Sequence, residues 1–576
     1  MPASPSESVA DYLGYSESGL FEGLTRPRIA LPLLLACGGL LFLVNLGGYP
    51  LYTKGETREA VTVFDIVHGG GIILPLRAGV EVPSKPLMMH WLAALVSLIF
   101  GQVNEWTVRL PSAICAILGI VVCYYYVRRF FDDKSALFAA LLLGTSFQYL
   151  QAGGARVDMV LTLFLEVALF HFLAIAERLS ERTVPLYLAL AAAVLTKGPV
   201  GLALPALVAV IWIVVMQRMD VLRLLRLGRG SIIVGAIAGG WYLAAIATGG
   251  TAFIHKQVLA ENLYRLFARP GFSEGHVHPF YYVEGALIAG FMPWSPIAVL
   301  AALRCWKQPR KVNGRFSYLL VWVLAILIFY NLPHSKRGVY LLALYPALST
   351  VVAVSLLAPF ELPSLALERG TGVIARFAAI SFIATGISAL SGCAMLFFEP
   401  AQMRWILGKF GILAEGLPLA LQATASRHWP VVALIPLATI LVGIWMALLQ
   451  PSIERIVAGM AAGTIAITLM INLLIQPALA ETLSPKQFAK QASERAGSQT
   501  IYSFGSLDYG FVFYSGRDVK FASVTNPPAL IVGCEEEWPL MPAHFRAHYR
   551  VVLRSNPTDV DGTGRLLLLS RTDRSS

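Results

Sequence analysis

Five short segments of this chain place acids and cations where apolar sequence begins or ends. The first is Tyr52-Thr53-Lys54-Gly55-Glu56-Thr57-Arg58-Glu59-Ala60, which opens a predicted helix carrying Glu56, Glu59 and Asp65, with Arg58 among them. A carboxylate held near a membrane surface can act as a general base or bind a metal. Acids in a first helical turn also complement the helix dipole without any chemistry. The second segment is Pro83-Ser84-Lys85-Pro86, where flanking prolines stiffen the backbone and aim Lys85 as a phosphate ligand would be aimed. In the third, Gly154-Ala155-Arg156-Val157-Asp158-Met159, Asp158 starts a helix and so either caps it or does chemistry. Arg156 there can bind an anion or pair with Asp158.

The fourth segment, Thr196-Lys197-Gly198-Pro199, leaves Lys197 at a membrane boundary with almost no loop around it. A cation in such a place is costly and faces a polar cavity. The fifth, Pro333-His334-Ser335-Lys336-Arg337, is followed by Tyr340 and Tyr345-Pro346. Adjacent cations beside an imidazole and a hydroxyl suit a phosphate or pyrophosphate. Together the segments suit a substrate with an anionic phosphate and a lipid tail. A glycine-rich nucleotide loop is missing, and so is any sizeable cytoplasmic domain, which argues against a soluble nucleotide donor.

The elements that must position these groups are membrane spans. The chain has 576 residues, 56% hydrophobic and 14% charged, with mean hydropathy +0.66. That is too apolar for a soluble protein of this size. Thirteen spans are expected, at 29–46, 109–128, 134–150, 158–176, 184–196, 200–216, 231–248, 281–301, 316–331, 338–357, 374–397, 429–449 and 457–476. Basic clusters follow every second span, among them Arg128/Arg129/Lys134, Arg218/Arg223/Arg226/Arg229 and Arg304/Lys307/Arg310/Lys311/Arg315. Short Lys/Arg-rich loops stay in the cytoplasm, so the five segments above fall on the opposite face. The same sorting explains the net charge of +11 without nucleic acid. The cysteines show no CxxC or Cys/His spacing, so neither a disulfide framework nor a zinc site is indicated.

The expected organisation is a cytoplasmic segment over 1–28, a transmembrane domain over 29–476 and a periplasmic α/β domain over 477–576. A first outer loop over 47–108 holds an amphipathic helix at Leu87–Phe100 that lies on the membrane surface. Longer outer loops are expected at 249–280 and 398–428. In the last domain Ser484-Pro485 starts a short helix, closed by Gly497. Strand-like runs follow at Ile501–Phe504, Phe511–Tyr514, Val519–Ala522, Ala529–Val532, Tyr549–Leu553 and Arg565–Leu569.

Read in order, the motifs resemble the polyprenyl-phosphate-sugar glycosyltransferases of the membrane-embedded GT-C fold. They are most similar to the lipid A aminoarabinose transferase branch, related to protein O-mannosyltransferases. The matching segments run from Glu56-x-Arg58 through Ser84-Lys85-Pro86-Leu87, Asn104-Glu105, Arg109-Leu110-Pro111-Ser112, Arg156-x-Asp158-Met159 and Thr196-Lys197-Gly198-Pro199. They continue through Glu261-Asn262-Leu263, His278-Pro279, Pro293-Trp294 and Ser335-Lys336-Arg337 to Tyr345-Pro346.

The resemblance implies a bacterial inner-membrane enzyme that inverts the anomeric centre. It would move a sugar from undecaprenyl phosphate, or a similar lipid phosphate, to a lipid A-like glycolipid or other envelope acceptor at the periplasmic face. Its base is an acid in the first outer loop, where the family pattern has Asp followed by Glu. Here Gly55 stands at the Asp position, so Glu56 takes over or Asp158 contributes. Lys85, Lys336 and Arg337 would hold the donor phosphate and Tyr345 would line the site, with Arg58, Arg156, Lys197 and His334 as further substrate-binding groups. The resemblance leaves room for a divalent metal, but Ser84 stands where a metal-favouring acid would be. The competing reading is a transporter or flippase of lipid-linked sugars. It predicts charges at mid-span and repeated halves, whereas these charges gather at one boundary.

Overall fold

The computed structural model describes residues 22–264, 277–307, 314–333, 335–357, 364–399, 402–403, 417–448, 452–523, 528–557 and 564–572. His334 lies outside them, as do parts of the expected loops at 249–280 and 398–428. Among the described residues, eight helices are long and apolar enough to cross a membrane, and a ninth crossing would count one bent pair as a single span. The chain is a multi-pass membrane protein.

Apolar residues all round a helix mark a central position. Val157–Ala176 fits this best, with 89% of its apolar window buried, against 22% for Trp429–Leu448. The central helix packs against Glu105–Phe130 and Val184–Lys197, while Asp133–Gly144 packs against Gly338–Leu357. Local signals set the helix starts. The Asn104 side chain accepts from the Thr107 N–H at 2.9 Å, and the Thr107 hydroxyl oxygen accepts in return from the Asn104 N–H at 3.0 Å. Asp132 accepts from the Ser135 N–H at 2.8 Å, so the chain reverses within a few residues of Phe130 and Asp133–Gly144 returns beside its predecessor.

One expected span is not straight. Within 281–301 the chain forms two helices, Tyr282–Gly290 and Ser295–Leu303, bent by 107° at the break. Pro293 cannot donate a helical hydrogen bond. The Met292 carbonyl instead accepts from the Phe147 N–H at 2.9 Å, and the Trp294 indole donates to the Thr145 hydroxyl at 3.1 Å. The stretch Leu87–Phe100 forms a helix over Met88–Phe100, closed by Gly101 at φ +70°.

After Gln476–Leu483 and the Lys486–Ala496 helix comes a five-stranded sheet of β1 (Ile501–Ser503), β2 (Lys520–Phe521), β3 (Leu530–Cys534), β4 (Tyr549–Pro557) and β5 (Arg565–Arg571). The order is β2-β1-β3-β5-β4, with β1 parallel to β2 and β3, and β5 antiparallel to β3 and β4. Phe511–Tyr514 is not a strand. It lies in the Tyr509–Ser515 helix, whose N-cap Asp508 accepts from the Phe511 N–H at 2.7 Å. Aromatic and β-branched residues read as strand, but the cap and the left-handed Gly516 fix a helical turn. The buried face of that helix packs with Phe488, Ala492, Ile501 and Leu568, and with Val61 and Ala78 of the first loop.

Candidate active site

Thr53 is the N-cap of the Lys54–Val67 helix and accepts from the Glu56 N–H at 3.3 Å. Glu56 therefore sits in the first turn, but its carboxylate does more than complement the dipole. Arg109 reaches it with Nε at 2.9 Å and Nη2 at 3.2 Å, and the Ala155 N–H donates to it at 3.1 Å. The carboxylate comes so close to the 154–156 turn that a side chain at Gly154 would meet Glu56 Oε1 at 2.9 Å. Arg109 spends its remaining donors on the carbonyls of Leu46, Tyr49 and Pro50, and its guanidinium lies 4.1 Å from the Tyr49 ring centre. Burial alone would raise the Glu56 carboxyl. The Arg109 charge and hydrogen bonds, with the Ala155 N–H, overcome it and hold the group below its ordinary range.

Ala155 is three residues before Asp158, so a fully extended chain would still keep their Cα atoms within about 11 Å. Arg156, not Asp158, is the N-cap of Val157–Ala176, and no side chain caps that helix. Asp158 instead accepts from Lys197 at 2.5 Å, and the Lys197 ammonium lies 4.3 Å from the Tyr340 ring centre. Val277 pairs with Ser335 in an antiparallel bridge just before Lys336. Lys336 is 6% exposed and has no carboxylate partner among the described residues.

A third cluster grows from the same Lys54–Val67 helix. Glu59 takes hydrogen bonds from Arg58 at 2.8 Å and from His90 Nε2 at 2.7 Å. Burial opposes its ionisation, but the His90 bond and the Arg58 charge hold its carboxyl far below the usual range. Lys85 pairs with Glu261 at 2.8 Å, and the Gln257 amide donates to the carbonyls of Pro83 and Lys85 at 2.8 and 3.0 Å. The stiff proline turn is thus clamped from outside. Tyr345 is fully buried, 5.8 Å between ring centres from Phe291, and its hydroxyl has no hydrogen-bond partner among the described residues.

A cavity of about 310 Å³ joins part of this set. Its polar wall carries Tyr49, Tyr52, Glu56 and Arg156, and its apolar wall includes Leu41, Phe42, Met292 and Pro293. The bend at Pro293 brings that residue to the cavity. Such a cavity takes an amphiphile with its polar end toward Glu56 and Arg156. No group of three or more His, Cys, Asp or Glu is set to hold a metal among the described residues. The carboxylate beside Lys85 among the described residues is Glu261, and it is already paired with that lysine.

Sequence reasoning quoted Arg109 only as part of a motif, yet it is the main partner of Glu56. Its signal is a charge at the very head of the expected span 109–128, where an ionisable group needs a partner. Glu261 gave no comparable sign, because its partner lies 176 residues away.

A model of the dolichyl-phosphate-mannose-protein mannosyltransferase family matches residues 84–238. An undecaprenyl phosphate-alpha-4-amino-4-deoxy-L-arabinose arabinosyl transferase 2 from Pseudomonas fluorescens is 28% identical over 437 residues, 72% of each chain. The corresponding transferase of Pseudomonas aeruginosa strain UCBPP-PA14 is 28% identical over 434 residues, 70% of this chain and 75% of that one. Among solved structures, ArnT from Cupriavidus metallidurans bound to undecaprenyl phosphate has TM-score 0.70 at 18% identity, covering 98% of this chain and 99% of that one. The fold is of the GT-C type, and the sequence relatives make the chain a membrane glycosyltransferase. The chain is similar in sequence to the aminoarabinose transferases and, over residues 84–238, to the protein mannosyltransferase family.

Proposed function

We propose that the protein transfers a sugar from a polyprenyl phosphate, such as undecaprenyl phosphate, to a lipid A-like glycolipid or other envelope acceptor. The reaction takes place at the periplasmic face of the bacterial inner membrane. The observation that carries this reading is the Glu56 carboxylate, set beside Arg156 in the wall of a half-apolar cavity within a GT-C fold.

Displacement at the anomeric carbon builds negative charge on the leaving phosphate. Lys85, Lys336 and Arg337 stabilise that charge, and Lys336 is already desolvated and without a carboxylate partner among the described residues. The polyprenyl chain follows apolar wall, and Tyr345 packs behind the site. Glu56 orients the acceptor's attacking oxygen and takes its proton late. A carboxyl held low is a weak base toward an alcohol, but an oxygen already bonding to the anomeric carbon is strongly acidic. Asp158, neutralised by Lys197, shapes the field beside it, while Arg58 and Arg156 hold the substrate's polar groups.

The test is release of polyprenyl phosphate from labelled polyprenyl-phosphate sugars by the purified protein with native lipid extract. Glu56→Gln should lower release about 10²–10⁴-fold while donor binding survives. Unchanged release would move the base to Asp158, examined with Asp158→Asn. Binding of lipid phosphate without release from any donor would favour transport.

A further inference from the structure

The loop that follows the Lys54–Val67 helix is apolar where a solvated loop would be polar. Residues 71–76 read Gly-Ile-Ile-Leu-Pro-Leu; Ile72 is 67% exposed, and Ile73 and Leu76 are exposed as well. Gly69 and Gly71, at φ +90° and +95°, let the chain turn sharply off the helix end. The indole of Trp91 donates to the Ile72 carbonyl at 2.8 Å, and that of Trp241 donates to the Ile73 carbonyl at 3.1 Å. The two rings meet edge to face, 6.2 Å between centres. Leu74 turns inward onto the backbone at Gly249, where an added side chain would collide with Leu74 Cδ2.

These contacts set the depth of the loop. Trp241 belongs to the helical stretch Leu227–Glu261, which has no Asp, Glu, Lys, Arg or His between Arg229 and His255. Only 17% of its apolar window is buried in the protein, so most of it faces lipid. The stretch breaks at Gly250, φ +54°, and Trp241 lies nine residues before that break, about 13 Å along the helix. Beyond the break Lys256 and Glu261 bind Glu81 and Lys85, which marks this as the end of the span on the Glu56 side. A loop held by Trp241 and Gly249 therefore lies beside the last turns of the span, below headgroup level. Irregular backbone at that depth needs partners for its carbonyls, since lipid supplies none. Two tryptophan N–H groups on consecutive carbonyls are that provision; in water neither would be required. The lipid-facing surface continues onto the Met88–Phe100 helix, where Leu95, Leu98 and Ile99 are exposed.

We propose that residues 71–76 insert into the bilayer leaflet on the Glu56 side as an apolar wedge, with Ile72, Ile73 and Leu76 among the acyl chains. The wedge joins the two segments that carry the chemistry. It leaves the helix of Glu56 at Gly69–Gly71 and leads through Arg77 and Glu81 to the proline turn of Lys85. Arg77 ties the far side back to that helix, donating to the Thr62 hydroxyl and to Glu81, each at 3.1 Å. Anchoring the wedge thus fixes Glu56 and Lys85 together at the height of lipid headgroups. Insertion rests on the contacts above alone; its value to a lipid-linked donor rests on the glycosyl-transfer reading.

The test uses the full chain in phosphatidylcholine nanodiscs. A photoreactive benzophenone residue replaces Ile72 in one variant and Glu494, exposed on the Lys486–Ala496 helix, in another. After irradiation, position 72 should carry adducts with lipid acyl chains, read by mass spectrometry, and position 494 should carry none. Adducts with protein alone at 72, or as much lipid at 494, would overturn insertion. The double variant Ile72→Asn/Ile73→Asn should raise KM for a long-chain polyprenyl-phosphate sugar in nanodiscs by about tenfold, because anchoring scales with buried apolar area. It should leave kcat, the unfolding temperature in detergent and KM for a short-chain soluble donor unchanged. An equal rise for both donors would make the loop part of the packing of the site and overturn the anchoring role. Lipid adducts at 72 without sugar transfer by wild type would keep the wedge and sink the transfer reading. Transfer by wild type with no lipid adduct at 72 would do the reverse.

Discussion

Ion pairs occur at both ends of the helix bundle, but they are built differently. At the ends assigned to the cytoplasm, Arg128 and Asp133 meet at 2.6 Å with side chains 47% and 41% exposed. Lys134–Glu454 and Arg315–Glu177 are likewise open to solvent in part. At the opposite end Arg109 and Glu56 are 0% and 8% exposed, and His90–Glu59 is as deeply buried. Exposed pairs contribute little to stability, and their sorting reports orientation. A buried pair costs desolvation and survives only when hydrogen bonds satisfy every arm, as Arg109 does with two carboxylate oxygens and three carbonyls. Charges kept at that cost, next to a cavity, are pre-organised for a substrate.

Several variants would break or sharpen this contrast. The largest effect is expected from Arg109→Met, which strands a buried carboxylate and releases the 46–50 turn. Stability in detergent should fall by about 3–5 kcal/mol, read as thermal unfolding, with transfer abolished. Arg109→Lys should recover part of the stability and little activity, since an ammonium cannot reproduce the fork. Lys197→Met should cost less, about 2–3 kcal/mol, because Asp158 keeps some solvent. Adding Asp158→Asn should return part of that loss in a double-mutant cycle. A cycle that is simply additive would mean the pair at 2.5 Å carries no coupling.

Smaller effects belong where the sheet-bearing segment meets the first loop. Tyr509 donates to Glu81, which also binds Arg77 and Lys256, each at 3.1 Å. Tyr509→Phe should cost about 1 kcal/mol and lower the unfolding temperature while leaving kcat nearly intact. Nearby, burial chiefly, and the charge of Asp518, push the Asp65 carboxyl from 3.8 up to about 6. A folded-state value above the unfolded one means that the folded protein holds the proton more tightly. The stability from Asp65 is then complete below 3.8 and is lost as pH rises through about 6. Asp65→Asn should flatten the unfolding-temperature profile across that window and raise it above pH 6. Least of all, Arg128→Gln should change stability by under about 1 kcal/mol and leave transfer untouched. An effect as large as that of Arg109→Met would erase the distinction between the two ends.

Much of the fold was legible because spanning is a local property. Twenty apolar residues and the basic residues beside them report a crossing and its direction whatever else the chain does. The GT-C assignment followed from motifs in order between Glu56 and Tyr345. The failures were also local. Phe511–Tyr514 has strand chemistry, yet Asp508 and Gly516 decide for a helix. In 281–301 the hydropathy is continuous, yet Pro293 breaks the ladder and the halves diverge by 107°.

The sequence by itself determined that this is a membrane glycosyltransferase and that Gly55 stands where the expected pair has its first acid. Only the tertiary structure decided what its acids and cations do to one another. Glu56 is held by an arginine 53 residues on, Lys85 by a glutamate 176 residues on, and Asp158 by a lysine 39 residues on. Hydropathy sums over a short window, so it survives in one dimension. Partnership between distant charges depends on which helices pack together and on how closely the backbone at Gly154 lets a carboxylate approach, and no window of sequence contains that.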